Sequence, residues 1–532
     1  EILDILLVAY LCYQALYVIY FTFVSYWNSK SAKVERENGI RQIKHDFKQE
    51  NQDVLKCNSI IELLRGQFEQ KFTCSDIVNT YASRSYRIGR KYNFTSDELF
   101  ENALKEAEEK DIELKECLDK GKDPYITLGK LHGIPFSSKD HIYVQGSKCS
   151  IGNGFISKEV INKDAYIVKV FRNEGAIPLV KSISSEEDPF LRTISSINPW
   201  TGDGADQNIR GGEPALIASN CVVFGIVSDI KKDCEIPAPF YGGCSFFPTP
   251  KRVYATRTDS YFEHGVVNMD VNKYTLGPVA KNSGDLTHLL QILYSDKAFA
   301  EHLRYPKVPF DKSVLKNKDK LKIGIINDLD KISGAPKAVE RALEIAAQVL
   351  EDNEYEVANV DLIPKIEEKE GEEKDEKPQH DFNLVVKNKS KLYSLSNTFV
   401  FLVASRFPRV VINIWTQILN IFGFTKLSKF IGSSIEPDTQ ILKECIMQRH
   451  DDVLEIIENW KKLELDAVIL PTLPIPSTIS DKDIDTSSKW SRFSSYCQFP
   501  SGSIPITCVK EDEALDKTKT DSKGIPVGIE IC

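Results

Sequence analysis

GADQNIRGGEPALIASNCVVFGIVSDIKKDCEIPAPF, residues 204–240, decides how the chain reads. Gly211 and Gly212 stand directly before Glu213 and the apolar run Ala215, Leu216, Ile217, Ala218, a glycine turn feeding a helix whose first turn carries an acid. Residues 222–227 then read as an apolar strand, followed by Ser228, Asp229 and Ile230. A charged cluster follows, Lys231, Lys232, Asp233, Cys234 and Glu235, and after it Pro237, Ala238, Pro239 and Phe240. The end of a strand next to a helix start is where α/β proteins expose their chemistry, so an α/β fold is expected.

This stretch resembles the signature of the amidase-signature family, whose Ser–cisSer–Lys hydrolases carry GGSSGGE, an apolar helix, then GTDxGGSxRxPAxF. Gly211, Gly212 and Glu213 match GGE, Asp229 matches the TD aspartate, and Pro237, Ala238 and Phe240 match PAxF. The departures fall on the chemistry. Ile209 stands at the cis-serine position and Asp233 at the nucleophilic serine; Lys231 and Lys232 replace the glycines that follow Ile230 in the oxyanion turn, and Glu235 replaces an arginine.

Further landmarks extend the resemblance. LHGIPFSSKD, residues 131–140, is similar to the LxGIPFxVKD strand, and by that likeness Lys139 is the lysine that moves the cis-serine proton. A lysine closing an apolar strand is costly to bury and is normally paired or used. Residues 164–177 fit the helix and strand DAxVVxxLRxxGAI, and Lys181 fits GKTN, with Ile183 at the asparagine. Pro248, Thr249 and Pro250 follow GxxGxKPT, and residues 465–472, 500–505 and 524–529 resemble late strands of the family. The resemblance implies an amidase-signature α/β fold, a central mixed sheet with helices on both faces, over about residues 50–532.

From the residues alone, 322–326, 338–350 and 356–362 form a strand, helix and strand of the right lengths for a parallel crossover. Between 46 and 120 the pattern is helical. Ile60, Leu63 and Leu64 share a face, Cys74 to Asp76 open a second helix, and Thr95 with Glu98 has the spacing of a capping box opening a helix over 96–120 with Glu106 and Lys110 as an i,i+4 pair.

A chain of 532 residues with 42% hydrophobic and 27% charged residues can bury a large core. Its net charge of −9 argues against a nucleic-acid partner. The 12 cysteines lack C-x-x-C spacing and read as scattered core thiols. No metal site and no cofactor are expected, and His132 and His141 read as structural.

Residues 5–27 hold no charge, and 23 residues of helix cover the bilayer core, so residues 1–30 are expected to form a single-pass anchor for the domain 31–532. Lys30, Lys33 and Arg36 after it place the body on the cytosolic side, the lumenal side staying open. Residues 365–380 read as a charged, exposed insert. Residues 401–432 carry Val411, Ile414, Trp415, Ile418, Leu419 and Phe422 at helical spacing, rimmed by Arg406, Arg409, Lys426 and Lys429. Such a face packs in a core or lies in a bilayer interface; its position resembles the membrane-cap helices of fatty-acid amide hydrolases, which makes Trp415, Ile418, Leu419 and Phe422 the expected membrane contacts.

A seryl nucleophile needs a hydroxyl, a proton route and oxyanion donors. Ile209 has no hydroxyl, Asp233 is a poor nucleophile toward amides, and Lys231 and Lys232 carry β-carbons where glycine lets the backbone approach closely. The expectation is a membrane-bound pseudoenzyme binding a lipid or fatty-acyl ligand, with Lys139 and Asp233 facing each other as an ion pair. A drifted surface loop over 231–235 is the alternative for that cluster. Two other functions stay open: a hydrolase in which Ser228 or Ser137 has taken over, and a structural partner of an active paralogue or a homodimer arm.

Overall fold

The computed structural model describes residues 50–149, 160–183, 212–229, 235–250, 252–253, 275–300, 307–311, 313–314, 320–326, 337–362, 439–472, 493–513 and 523–532, with Phe47, Ile414, Gln417 and single positions of a helix between residues 13 and 38. Within them lie eleven strands in one sheet. The first six are β1 (Thr95–Glu98), β2 (Pro135–Lys139), β3 (Ile177–Ser182), β4 (Phe224–Asp229), β5 (Cys244–Phe247) and β6 (Thr275–Ala280). The rest are β7 (Lys322–Ile325), β8 (Glu356–Asn359), β9 (Ala467–Pro471), β10 (Ser501–Cys508) and β11 (Pro526–Ile531). Their spatial order is β1-β3-β2-β4-β6-β5-β10-β11-β9-β7-β8.

The sheet is mixed. β2 runs parallel to both β3 and β4, and β7 parallel to β8 and β9, while the joining pairs are antiparallel. Parallel neighbours need crossovers, and helices supply them. Helix α1 (Tyr166–Asn173) links β2 to β3, α2 (Gly212–Ala218) precedes β4, and α3 (Lys337–Asp352) joins β7 to β8 as the spacing predicts. Residues 135–139 and 177–182 are buried throughout, as strands covered on two faces must be.

Aromatic packing fixes the strands that matter below. Phe136 on β2 stacks on Phe224 of β4 with centroids 5.3 Å apart, and Phe171 of α1 meets Phe224 edge-on, also at 5.3 Å. All three are fully buried. Truncating any one to alanine would cost about 3–5 kcal/mol through lost transfer energy and a cavity.

Two local expectations are corrected. Thr95 and Glu98 do not open a helix. Thr95 Oγ1 donates to Glu98 Oε1 at 2.7 Å within strand β1, which pairs antiparallel with β3, and the helix begins at Phe100. Glu106 pairs across the fold with Arg172 at 3.1 Å, whereas Lys110 takes Glu113. The second helix starts where expected, over Cys74–Arg84, with Thr73 as its cap and Asp76 closing a capping box. Ile60, Leu63 and Leu64 lie buried on the helix Ile60–Phe68.

Among the described residues no helix is long and apolar enough to cross a membrane. Of residues 5–27 only Tyr13, Leu16, Tyr20, Phe23, Val24 and Trp27 are described, all helical, and the rest of that expected span lies outside the described residues, as does the insert 365–380. Tyr13, Leu16, Tyr20, Phe23 and Trp27 are 54–66% exposed. Of 401–432 only Ile414 and Gln417 are described; Trp415, Ile418, Leu419 and Phe422 lie outside.

Candidate functional site

Parallel strands bring their carboxyl ends to one edge, the place where open α/β sheets present chemistry. Here that edge gathers Lys139 at the end of β2, Ser182 opposite it at the end of β3, and Ser228 near the end of β4. Lys139 is 5% exposed, and its Nζ donates to the Ser228 carbonyl at 3.4 Å.

Glu213 enters from the first turn of α2. Ser182 Oγ donates to Glu213 Oε2, while Glu213 Oε1 and the nearby Ser137 Oγ are buried without a hydrogen-bond partner. Burial pushes the Glu213 carboxyl up to about 8, against the opposing pull of the Ser182 hydrogen bond and the Lys139 charge. At neutral pH it is therefore mostly an uncharged acid.

Two glycines make room for this carboxyl. A β-carbon on Gly225 would lie 2.6 Å from Glu213 Cγ and 3.0 Å from Ser137 Oγ, and one on Gly212 would lie 2.9 Å from Ser182 Cβ and 3.0 Å from the Ile183 carbonyl. The GG before the helix is thus a close approach between α2 and the end of β3.

Lys181 is fully buried, and its Nζ donates to the carbonyls of Asp140 and Ile142 at 2.6 and 2.5 Å. It clamps the turn after Lys139 from the neighbouring strand. That turn carries His141, whose Nε2 lies 2.7 Å from Ser228 Oγ. Burial, followed by the Lys139 and Lys181 charges, pushes His141 well below the usual imidazole range, so the ring is neutral at physiological pH, with one nitrogen a donor and the other an acceptor. Ser96 Oγ adds a bond to Asp140 Oδ1 at 2.8 Å.

Of the residues the sequence singled out, Lys139, Gly212 and Glu213 are brought together here, and Asp229 is described for its backbone, at the end of β4. Ile209, Gly211, Ile230, Lys231, Lys232 and Asp233 lie outside the described residues, and with them the expected pairing of Lys139 with Asp233. Sequence reasoning set His141 aside as structural and missed its contact with Ser228, 87 positions away. The only sequence signal was a histidine two residues past a buried lysine. His132 Nε2 lies 3.0 Å from the Lys110 carbonyl. No group of three or more His, Cys, Asp or Glu able to hold a metal occurs among the described residues.

With this geometry in place, comparison with known proteins is direct. The family model described as Amidase matches residues 76–532. Vitamin D3 hydroxylase-associated protein of Gallus gallus is 26% identical over 315 residues, covering 58% of this chain and 64% of that protein. Fatty-acid amide hydrolase 1 of Sus scrofa is 23% identical over 539 residues, covering 91% of this chain and 84% of that one. A solved structure of a fatty acid amide hydrolase superposes with a TM-score of 0.64 at 17% identity, covering 95% of this chain and 91% of the other. At that identity the superposition speaks for the fold.

Proposed function

The chain belongs to the amidase family, and from that premise we propose that it is a member which has lost Ser–cisSer–Lys amide hydrolysis and serves instead as a membrane-held scaffold binding a lipid-like ligand or a protein partner. One observation carries the reading: a buried lysine of the right kind ends β2, while the sequence supplies isoleucine and aspartate, Ile209 and Asp233, where the family pattern has its two hydroxyls. Without the first hydroxyl no proton passes between nucleophile and Lys139. A carboxylate attacking an amide gives a tetrahedral adduct that expels the carboxylate, the better leaving group, in preference to the amine, so the amide is re-formed. Losing one such component costs orders of magnitude in rate, and here three change together, the oxyanion turn included.

The lipid-like ligand is supported by the two relatives named as fatty-acid amide hydrolases, and the membrane by the uncharged residues 5–27 and the exposed Tyr13, Leu16, Tyr20, Phe23 and Trp27. Purified protein should release no fatty acid from fatty-acid amides and should float with vesicles through residues 1–30. Turnover above that of a Lys139→Ala control would end the proposal.

A second reading is favoured by one contact. Ser228 Oγ against neutral His141 Nε2 is a serine with a base at hydrogen-bond distance, so a displaced serine could support ester or amide hydrolysis. Both side chains are buried in the sheet edge, which closes them to substrate in this arrangement. A fluorophosphonate label mapped to Ser228 and lost in His141→Asn would select this reading over the first.

A further inference from the structure

The N-terminal helix and the residues after it are tied to the body at two places, and each tie ends at one side of the site. Glu35 and Glu37, on the helix, make the first. Lys148 Nζ donates to Glu35 Oε2 at 2.8 Å, and Arg90 Nη2 donates to Glu37 Oε1. The cations belong to the body and are largely covered, Arg90 at 14% side-chain exposure and Lys148 at 28%, whereas the acids reach in from the helix at 43% and 50%. Behind the cations stands β1. Lys148 N donates to Asp97 Oδ2 at 2.7 Å, and Arg90 Nε lies 3.8 Å from Glu98 Oε1. Ser96 Oγ, on the same strand, lies 2.8 Å from Asp140 Oδ1 and 3.2 Å from the Ser182 carbonyl. This tie therefore ends on the turn that follows Lys139. Lys181 holds the near end of that turn through the Asp140 and Ile142 carbonyls, and the helix acids hold the far end at Lys148.

Glu50 makes the second tie. Its carboxylate accepts from Arg84 Nη1 at 3.3 Å and from Arg87 Nη2, and Phe47 stacks on Tyr86 with centroids 4.8 Å apart. Arg84 also donates through Nε and Nη2 to the Ser219 carbonyl at 3.1 and 2.7 Å. Ser219 directly follows α2, whose first turn carries Glu213, so this tie ends on the opposite side of the site. The two differ in strength. Glu50 is 12% exposed and shared by two guanidinium groups, a shielded network. Half-exposed pairs such as those of Glu35 and Glu37 contribute little each and are screened by salt, so the outer tie opens first.

We propose that Glu35 and Glu37 form a reversible ionic latch through which the N-terminal helix controls the turn 140–148 beside Lys139, while the Glu50 tie keeps α2 in place. The latch does not depend on whether amide hydrolysis is retained.

Hydrogen exchange of the full chain in non-ionic detergent tests it, read on peptides covering 31–38, 143–148 and 214–219. Glu35→Lys with Glu37→Lys alters only the helix, so any change at the turn has passed through the contacts. Exchange over 31–38 and over 143–148 is expected to quicken at least about fivefold, with 214–219 unchanged. Glu35→Lys alone should give part of that effect, and adding Lys148→Glu, which rebuilds the pair with opposite polarity, should reverse it. A helix that loosens while 143–148 keeps its protection overturns the proposal, and so does a swapped pair that restores nothing. Equal loss over 214–219 marks general unfolding and counts against the latch as well. Should the variants fail to fold, raising salt on the wild-type chain from about 50 to about 500 mM should give the same pattern, and a flat response rejects the latch.

Discussion

Replacing Glu213 by glutamine should change how stability depends on pH, and the size follows from the surroundings of that side chain. The carboxyl is raised from 4.5 to about 8, first by burial. A raised acid binds its proton more tightly in the folded state, so its contribution to stability is fully present below 4.5 and is lost as pH rises through about 8. Inside that window each pH unit costs at most about 1.4 kcal/mol, so wild-type protein should lose about 3 kcal/mol between pH 5 and pH 7.5 from this group alone. Glutamine has no proton to give up. Its amide reaches Ser182 as the acid does, at a cost of about 1–2 kcal/mol for less fitting partners that is the same at every pH. Urea midpoints measured at pH 5, 6, 7 and 8 should therefore diverge between the two proteins, the variant gaining relative to wild type with each step. Parallel curves over that range would show that the Glu213 carboxyl is ionised in the fold and that the buried edge of the sheet is more polar than its contacts indicate.

The remaining predictions use neighbouring contacts. Asp285, which accepts from Ile60 N at 2.9 Å and is raised to about 6 by burial, should give the same sign in a lower window, so Asp285→Asn flattens the dependence between about pH 4 and 6 and leaves the higher range unchanged in urea titrations. Gly212→Ala places a methyl group against Ser182 Cβ and the Ile183 carbonyl and should destabilise by about 1–3 kcal/mol, read as a lower urea midpoint. Lys181→Met leaves the carbonyls of Asp140 and Ile142 without their buried donor, at a cost of about 2–4 kcal/mol, and should move the ¹⁵N shifts of His141 as its turn relaxes; a stable variant with unmoved His141 would show that the turn holds itself. Ile209→Ser with Asp233→Ser should leave fatty-acid amide hydrolysis undetectable while Lys231 and Lys232 remain, and measurable turnover would show that the oxyanion turn tolerates them.

Strand and helix placement was legible wherever apolar period and punctuation agreed. The crossover 322–362 fell where the apolar pattern put it, and the helix Tyr166–Asn173 with β3 after it fell where the family resemblance put them. Thr95 and Glu98 show where such reading stops. The S/T-x-x-E spacing fits a helix start and a four-residue strand equally well, and pairing with β3 decided between them. Lys139 was readable as a buried, strand-ending lysine. Its surroundings were not, since Ser182, Lys181, His141 and Ser228 meet only through the parallel register of three strands, and no local pattern encodes which strand lies beside which. The exchanges at Ile209 and Asp233 belong to the reverse case, plain in the sequence and placed outside the described residues.

The strand order carries a consequence for synthesis. β10 and β11, residues 501–531, are inserted between β5 and β9 and are the only described link between the strands before residue 281 and those after residue 321. While a ribosome is still making them, the nascent chain holds two half-sheets whose facing edges, β5 and β9, have no neighbour to close on. Exposed edges of that kind invite pairing with other chains. Cells making this protein should therefore need holdase chaperones until the last strands emerge, and truncations that stop before residue 501 should appear in the insoluble fraction.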